Sequence, residues 1–193
     1  MTPTFTEEQK KEIRAKLLSS GIELSQTEGL KKMTVALVAK SAGIATGTFY
    51  KFFESKESFV VEMIRDFETR AYDQTAACFV NGRIELKRFL EVFRGYFRPE
   101  NNFFLSLRRD DWTWCLTHIK DADYFTSDSA EKRILALIPH IDGIRKDADM
   151  RVAANFIKSI YSMYQNRETM FEDVLEKNVD LIFDTMYRYM KEE

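Results

Sequence analysis

The stretch that most constrains this chain is Met33 to Phe59, MTVALVAKSAGIATGTFYKFFESKESF. Its apolar spacing predicts two short helices, Val35 to Ser41 and Thr46 to Phe52, joined by Ala42-Gly43-Ile44. A third helix should begin after Ser55. Thr34 is placed to cap the first, and Gly43 can take the positive φ that a tight turn needs. Leu37 and Val38 should point inward, with Ile44 dropping between the helices. A helix, a tight turn and a short exposed helix can enter a DNA major groove about 12 Å wide while the first helix braces the second. The exposed positions of the short helix would be Thr46, Gly47, Thr48, Tyr50 and Lys51. On helical pattern alone, an αα-hairpin of some unrelated protein stays open.

The rest of the chain reads as helix throughout. Seven Gly and three Pro are few for a chain of 193 residues that must turn many hairpins, and no period-2 segment or internal repeat occurs. Thr6 to Gln9 forms a capping box for a helix to about Glu28. Gly21 inside it marks a close approach by another helix, and Gly29 supplies a stop. Ser55 caps a helix through Phe59, Met63, Phe67 and Arg70 to about Ala77. Asn81-Gly82 breaks the chain. Leu86, Phe89, Leu90, Phe93 and Phe97 then share one helical face, and Pro99 ends it. Further helices are expected at about 101–119, at 129–141 (kinked or ended by Pro139), at 147–166 and at 168–191, with a loop over 120–127. The fold class is all-α, with about nine helices.

Charge and composition narrow the function. The net charge is −2, yet residues 1–60 carry nine Lys or Arg against seven Asp or Glu. Between 31 and 56 there are five lysines and one acid, Glu54. A local positive field on an acidic protein can hold phosphates; a solvated lysine surface is the plain alternative. Cys78 and Cys115 match no zinc spacing and read as reduced thiols. With no secretory leader and no run of about 18 apolar residues, a soluble cytoplasmic protein is expected, with no membrane partner. Asp111, Cys115 and His118 share a helical face, but a buried Cys beside a hydrogen-bonded His is a better reading than a metal site. No phosphate loop, dinucleotide fingerprint or nucleophile elbow is present. No cofactor, metal or enzymatic activity is expected.

The residues of the opening stretch carry a resemblance. Thr34-Val35, Val38-Ala39, Ala42-Gly43-Ile44, Gly47-Thr48-Phe49-Tyr50, Phe53 and Ser55-Lys56-Glu57 are similar to the N-terminal signature of the tetracycline-repressor (TetR) family. The match covers about residues 10–60, and Gly29 sits where that family has a Gly before its second helix. Ala45 departs from the family's usual Ser, leaving Thr46 or a bound phosphate to cap the recognition helix. Phe52 departs from a frequent His or other polar residue. The resemblance implies that Thr34 and Lys56 touch phosphates, that Tyr50 packs on or bonds to the DNA backbone, and that Thr46, Thr48 and Lys51 approach bases or flanking phosphates. Gly47 belongs to the same surface. Lys40 is a contact or a solvated residue, Lys31 and Lys32 supply steering charge, and Phe49 and Phe53 are core.

It also implies two domains: a helix-turn-helix reader over 1–54 and a ligand-binding and dimerisation domain over 55–193, with helix 55–77 connecting them. The middle third is dense in aromatics, Tyr124 and Phe125 among them, and small-molecule pockets between helices are apolar with a few polar groups. Phe93, Tyr96, Trp112, Trp114 and His118 are the candidate lining of an effector site. Asp110 or Asp111 beside the Trp residues would suit a cationic effector. The last two helices should lie antiparallel. Phe156, Ile160, Met163, Val179, Ile182 and Met186 are the candidate dimer interface across a two-fold axis. The expected protein is a homodimeric repressor that binds double-stranded DNA at a near-palindromic operator and is released by a small apolar or aromatic molecule. A helical carrier or enzyme with a vestigial reader is the alternative, as is an activator.

Overall fold

The computed structural model describes residues 5–119 and 128–192, whose regular elements are helices apart from one two-residue strand pair, joined by turns and short connections. The expected loop over 120–127, with Tyr124 and Phe125, lies outside the described residues. Contacts divide the chain into two units, Met1–Phe67 with Asp110–Ala122, and Glu68–Arg109 with Asp123–Glu193. That division differs from the expected 1–54 and 55–193. It falls within the fourth helix, and it assigns a middle segment to the N-terminal unit.

In the first unit, α1 (Glu7–Thr27) opens on the expected capping box. Gln9 N–H donates to Thr6 Oγ1 at 3.2 Å and Thr6 N–H to Gln9 Oε1 at 2.9 Å. Gly29, at φ +81°, ends the run. Thr34 caps α2 (Val35–Ser41), accepting from Leu37 N–H at 3.2 Å. Gly43, at φ +69°, turns the chain into α3, which is a single turn, Thr46–Phe49, rather than the expected run to Phe52. Leu37 and Val38 were both expected inside: Val38 is buried, whereas Leu37 is 41% exposed and Ala39 takes its place on the buried face, and Ile44 is half-buried. The core gathers Leu17, Leu30, Met33, Phe49, Phe53, Phe59 and Met63. Phe49, Phe53 and Phe59 meet edge-on or tilted at 4.9–5.4 Å. Helix α4 (Lys56–Ala76) supplies Phe59 and Met63, and α7 (Arg109–His118) adds the buried Cys115.

The second unit holds β1 (Ile84–Glu85), α5 (Leu86–Gly95), α6 (Phe103–Ser106), α8 (Asp128–Leu137), β2 (Ile141–Asp142), α9 (Met150–Gln165) and α10 (Leu175–Met190). β1 and β2 pair in parallel, Ile84 opposite Ile141. Its core is the apolar face of α5, with Leu86, Phe89 and Leu90, and Phe97 just after the helix, packed with Ile160, Val179, Phe183 and Met186. Two expected helices break. The segment 101–119 divides at Leu107, which is extended (φ −63°, ψ 135°). There the Arg167 guanidinium collects the carbonyls of Ser106 at 2.8 Å and Leu105 at 3.1 Å, together with Tyr164 O at 3.1 Å. The last expected helix begins at Leu175 rather than Glu168, after two single 3₁₀ turns, Arg167–Thr169 and Glu172–Val174.

Candidate nucleic-acid interface

The sequence of α2 to α4 builds a surface with a rigid floor. The floor is Phe49, Phe53 and Phe59, all within 4% of full burial, as the sequence led one to expect of the first two. Above it Thr46, Gly47, Tyr50 and Lys51 are exposed and Thr48 is half-buried. Tyr50 is 55% exposed, its ring edge-on to Phe49 at 5.5 Å, so its hydroxyl stands out from a fixed base. A Cβ placed on Gly47 would meet nothing within 4 Å and its φ is ordinary. The fold does not demand glycine there, whereas close approach of another molecule would.

Two helix starts flank α3. Thr34 is exposed at the start of α2. At α4, Ser58 N–H donates to Ser55 Oγ at 3.1 Å and Ser55 N–H to Ser58 Oγ at 3.0 Å, a reciprocal cap. Helix N-termini carry free N–H groups and a partial positive charge, which favour phosphate oxygens. α3 itself has no side-chain cap: Ala45 holds the capping conformation (φ −71°, ψ 144°) and Thr46 does not substitute for it.

The lysines differ. Lys40 is exposed on the last turn of α2. Lys51 Nζ lies 5.3 Å from the ring centroid of Phe5, and Phe5 in turn leans on Phe52 at 6.4 Å. The departure at position 52 thus gives the N-terminal segment an aromatic partner. Lys56 is half-buried. Its Nζ donates to Lys31 O at 3.2 Å and sits 4.3 Å from the Trp114 ring centroid. Burial pulls its pKa below the usual lysine range, while the charges of Glu57, Asp111 and Cys115 oppose that pull.

The remaining candidates fall elsewhere. Phe93 stacks on Phe89 at 5.6 Å and meets Phe97 edge-on at 5.4 Å; Tyr96 donates its hydroxyl proton to Gln74 Oε1 at 3.2 Å. Both belong to the second unit, whereas Trp112, Trp114 and His118 belong to the first. His118 is exposed and stacks on Trp114 at 5.1 Å, with Nδ1 near Thr117 Oγ1 at 2.8 Å. Asp111 accepts from Lys31 N–H at 3.0 Å, and burial pushes the Cys115 thiol up to about 12. No group of three His, Cys, Asp or Glu among the described residues is disposed to hold a metal. No described helix is long and apolar enough to cross a membrane. Of the candidate dimer residues, Ile160, Val179 and Met186 are 0–3% exposed, sealed in their own protomer's core and unable to form a surface. Phe156, Met163 and Ile182 are half-buried. The contact of Asp111 with the Gly29–Lys31 turn had no local sequence signal, because the partners are 80 residues apart.

Known proteins match this arrangement. The model of "Bacterial regulatory proteins, tetR family" matches residues 17–63. The chain is 26% identical over 151 residues to the HTH-type transcriptional repressor KstR2 of Mycolicibacterium smegmatis, covering 75% of this chain and 74% of that protein. Of three other curated relatives it spans 26–53% of the length. Among solved structures it is similar to a TetR family transcription regulator from Marinobacter aquaeolei VT8, with TM-score 0.64, 19% identity, and 97% and 100% of the two chains covered. It is also similar to SmeT of Stenotrophomonas maltophilia in complex with triclosan, with TM-score 0.64, 15% identity, and 94% and 92% covered. The spaced residues of α2 and α3 and the family match over the same stretch agree: residues 17–63 carry the N-terminal domain of the tetracycline-repressor (TetR) family of bacterial regulatory proteins, and the chain shares its fold with TetR-family regulators.

Proposed function

We propose that the protein is a homodimeric, effector-responsive repressor, and not an enzyme, whose α3 reads the major groove of a near-palindromic operator. The observation that carries this is the exposed face of α3, with Thr46, Gly47, Thr48, Tyr50 and Lys51 over a buried three-phenylalanine floor. Small and hydrogen-bonding side chains on a rigid base suit base edges, and the helix starts at Thr34 and Ser55 suit phosphates on either side. Lys56 and Lys40 add charge. Residues 1–54 form the reader and the region from 55 onward the effector and dimer part, joined through α4. Phe93 on α5 and Tyr96 just after it line the effector site in this reading. KstR2 is named a repressor, which supports repression, and SmeT is found in complex with triclosan, which supports an apolar or aromatic effector. The effector acts only through its difference in affinity for the two states, and reversing a 99:1 preference takes about 5.5 kcal/mol.

The test is selection of duplexes from a random pool, followed by binding across a salt series. An enriched, near-palindromic duplex whose affinity falls steeply with salt is expected, and Lys56→Ala should reduce the log–log slope by about one. If wild-type protein enriches no duplex over random DNA, the reading fails.

A further inference from the structure

We propose that Asp111 and Trp114, on α7, are positioning residues for DNA binding, a clasp that fixes the α1–α2 turn and Lys56 relative to one another. The inference rests on the reading of α2 to α4 as a DNA reader and deepens it, because neither residue belongs to that motif.

Asp111 is a carboxylate only 4% exposed, and a buried charge is costly unless it is hydrogen-bonded and paired. Its Oδ1 accepts from Lys31 N–H at 3.0 Å. Its seat is made by Gly29: a Cβ at that position would lie 2.9 and 3.0 Å from the two carboxylate oxygens. The carbonyl of the same Lys31 accepts from Lys56 Nζ at 3.2 Å. One residue of the turn is therefore gripped at its N–H by α7 and at its C=O by α4. Trp114 completes the clasp, its ring 4.3 Å from the ammonium, and it is itself backed by His118 stacked at 5.1 Å. The negative charge of Asp111 favours the ammonium of Lys56 against the cost of its burial.

Lys31 precedes Thr34, the cap of α2, and Lys56 begins α4. These two helix starts are the ones that flank α3 and suit phosphate. A clasp on Lys31 and Lys56 sets their separation. It also holds a side chain that would otherwise lose rotamer freedom on meeting DNA, and loss of that advance ordering weakens binding about three- to tenfold. The sign separates this from simple charge. Removing an acidic group should strengthen binding to a polyanion, whereas removing a positioning group weakens it.

The experiment uses the full chain and the duplex that wild-type protein enriches from a random pool, read by fluorescence anisotropy across a salt series. Asp111→Asn and Trp114→Ala should each weaken binding about three- to tenfold, and both effects should vanish in a Lys56→Ala background. Trp114→Phe, which keeps an aromatic face for the ammonium, should stay close to wild type. Unfolding midpoints of each variant show whether the fold is kept, and the Phe variant carries the test should Asp111→Asn not fold. An enriched duplex that Asp111→Asn binds as well as or better than wild type overturns the clasp, as does an unchanged effect in the Lys56→Ala background. Failure of the wild type to enrich any duplex instead overturns the DNA reading, and the clasp with it.

Discussion

At Gly21 an added Cβ would lie 2.5 Å from Phe59 Cζ and 2.7 Å from Met63 Sδ. A helical glycine costs roughly 1 kcal/mol against alanine, so the residue is there because α4 crosses α1 at that point. Gly21→Ala gains that propensity but must displace two side chains in a packed core, at about 1–3 kcal/mol. The expected net is a loss of about 1 kcal/mol, read as a lower urea midpoint with the slope unchanged. A raised midpoint would mean that the tips of Phe59 and Met63 swing aside cheaply. This close approach was legible in the sequence because glycine in mid-helix asks for a reason. Leu37 was not legible. In a seven-residue helix with apolar residues all round, VALVAKS, the phase of burial is decided by neighbours, and Val38 and Ala39 took it.

Elements were legible where their signals are local and illegible where they depend on distant partners. The caps at Thr6, Thr34 and Ser55 each stand a few residues from the N–H they satisfy, and all three form. The uncapped start of α3 is equally local. Because Ala45 already holds the capping conformation, Ala45→Ser should add a hydrogen bond without rearrangement. The expected gain is about 1 kcal/mol in the unfolding free energy of the purified protein. No gain would show that the serine hydroxyl prefers water to the N–H groups of so short a helix. The break between α6 and α7 is the opposite case. Nothing in residues 101–119 announces it, since the carbonyls it frees are taken by Arg167, about sixty residues on. Arg167→Ala should cost about 2–3 kcal/mol in unfolding free energy. Arg167→Lys should recover only part, because an ammonium cannot fork across several carbonyls. A Lys variant as stable as wild type would show that one hydrogen bond is enough to hold the break.

For the molecule as a whole, the proposed dimer that would present two α3 helices depends on which stripe of α9 and α10 faces outward. The 3.6 period marked their apolar residues but not the side: a stripe for the protomer's own core and a stripe for a partner look alike in sequence. Ile160, Val179 and Met186 went to the core. The apolar residues that remain open on these helices and their connection include Val152 at 36%, Val174 at 38%, Leu181 at 53% and Phe171 at 83%, beside the half-buried Phe156, Met163 and Ile182. A stable interface buries about 800 Å² per partner, and a charge at its centre is left desolvated and unpaired. Leu181→Glu should therefore convert the proposed dimer to monomer in light scattering at micromolar concentration while leaving the unfolding of the protomer nearly unchanged. Val179→Ala, a cavity in the protomer core, should do the reverse: a loss of about 1–2 kcal/mol in stability with the dimer kept. Splitting the dimer should also cost the second half-site, so the Leu181→Glu protein should bind the palindrome about a hundredfold or more weaker, yet bind an isolated half-site as the wild type does. A Leu181→Glu protein that stays dimeric would move the interface off this face of α10, and a wild type that scatters as a monomer would remove it altogether.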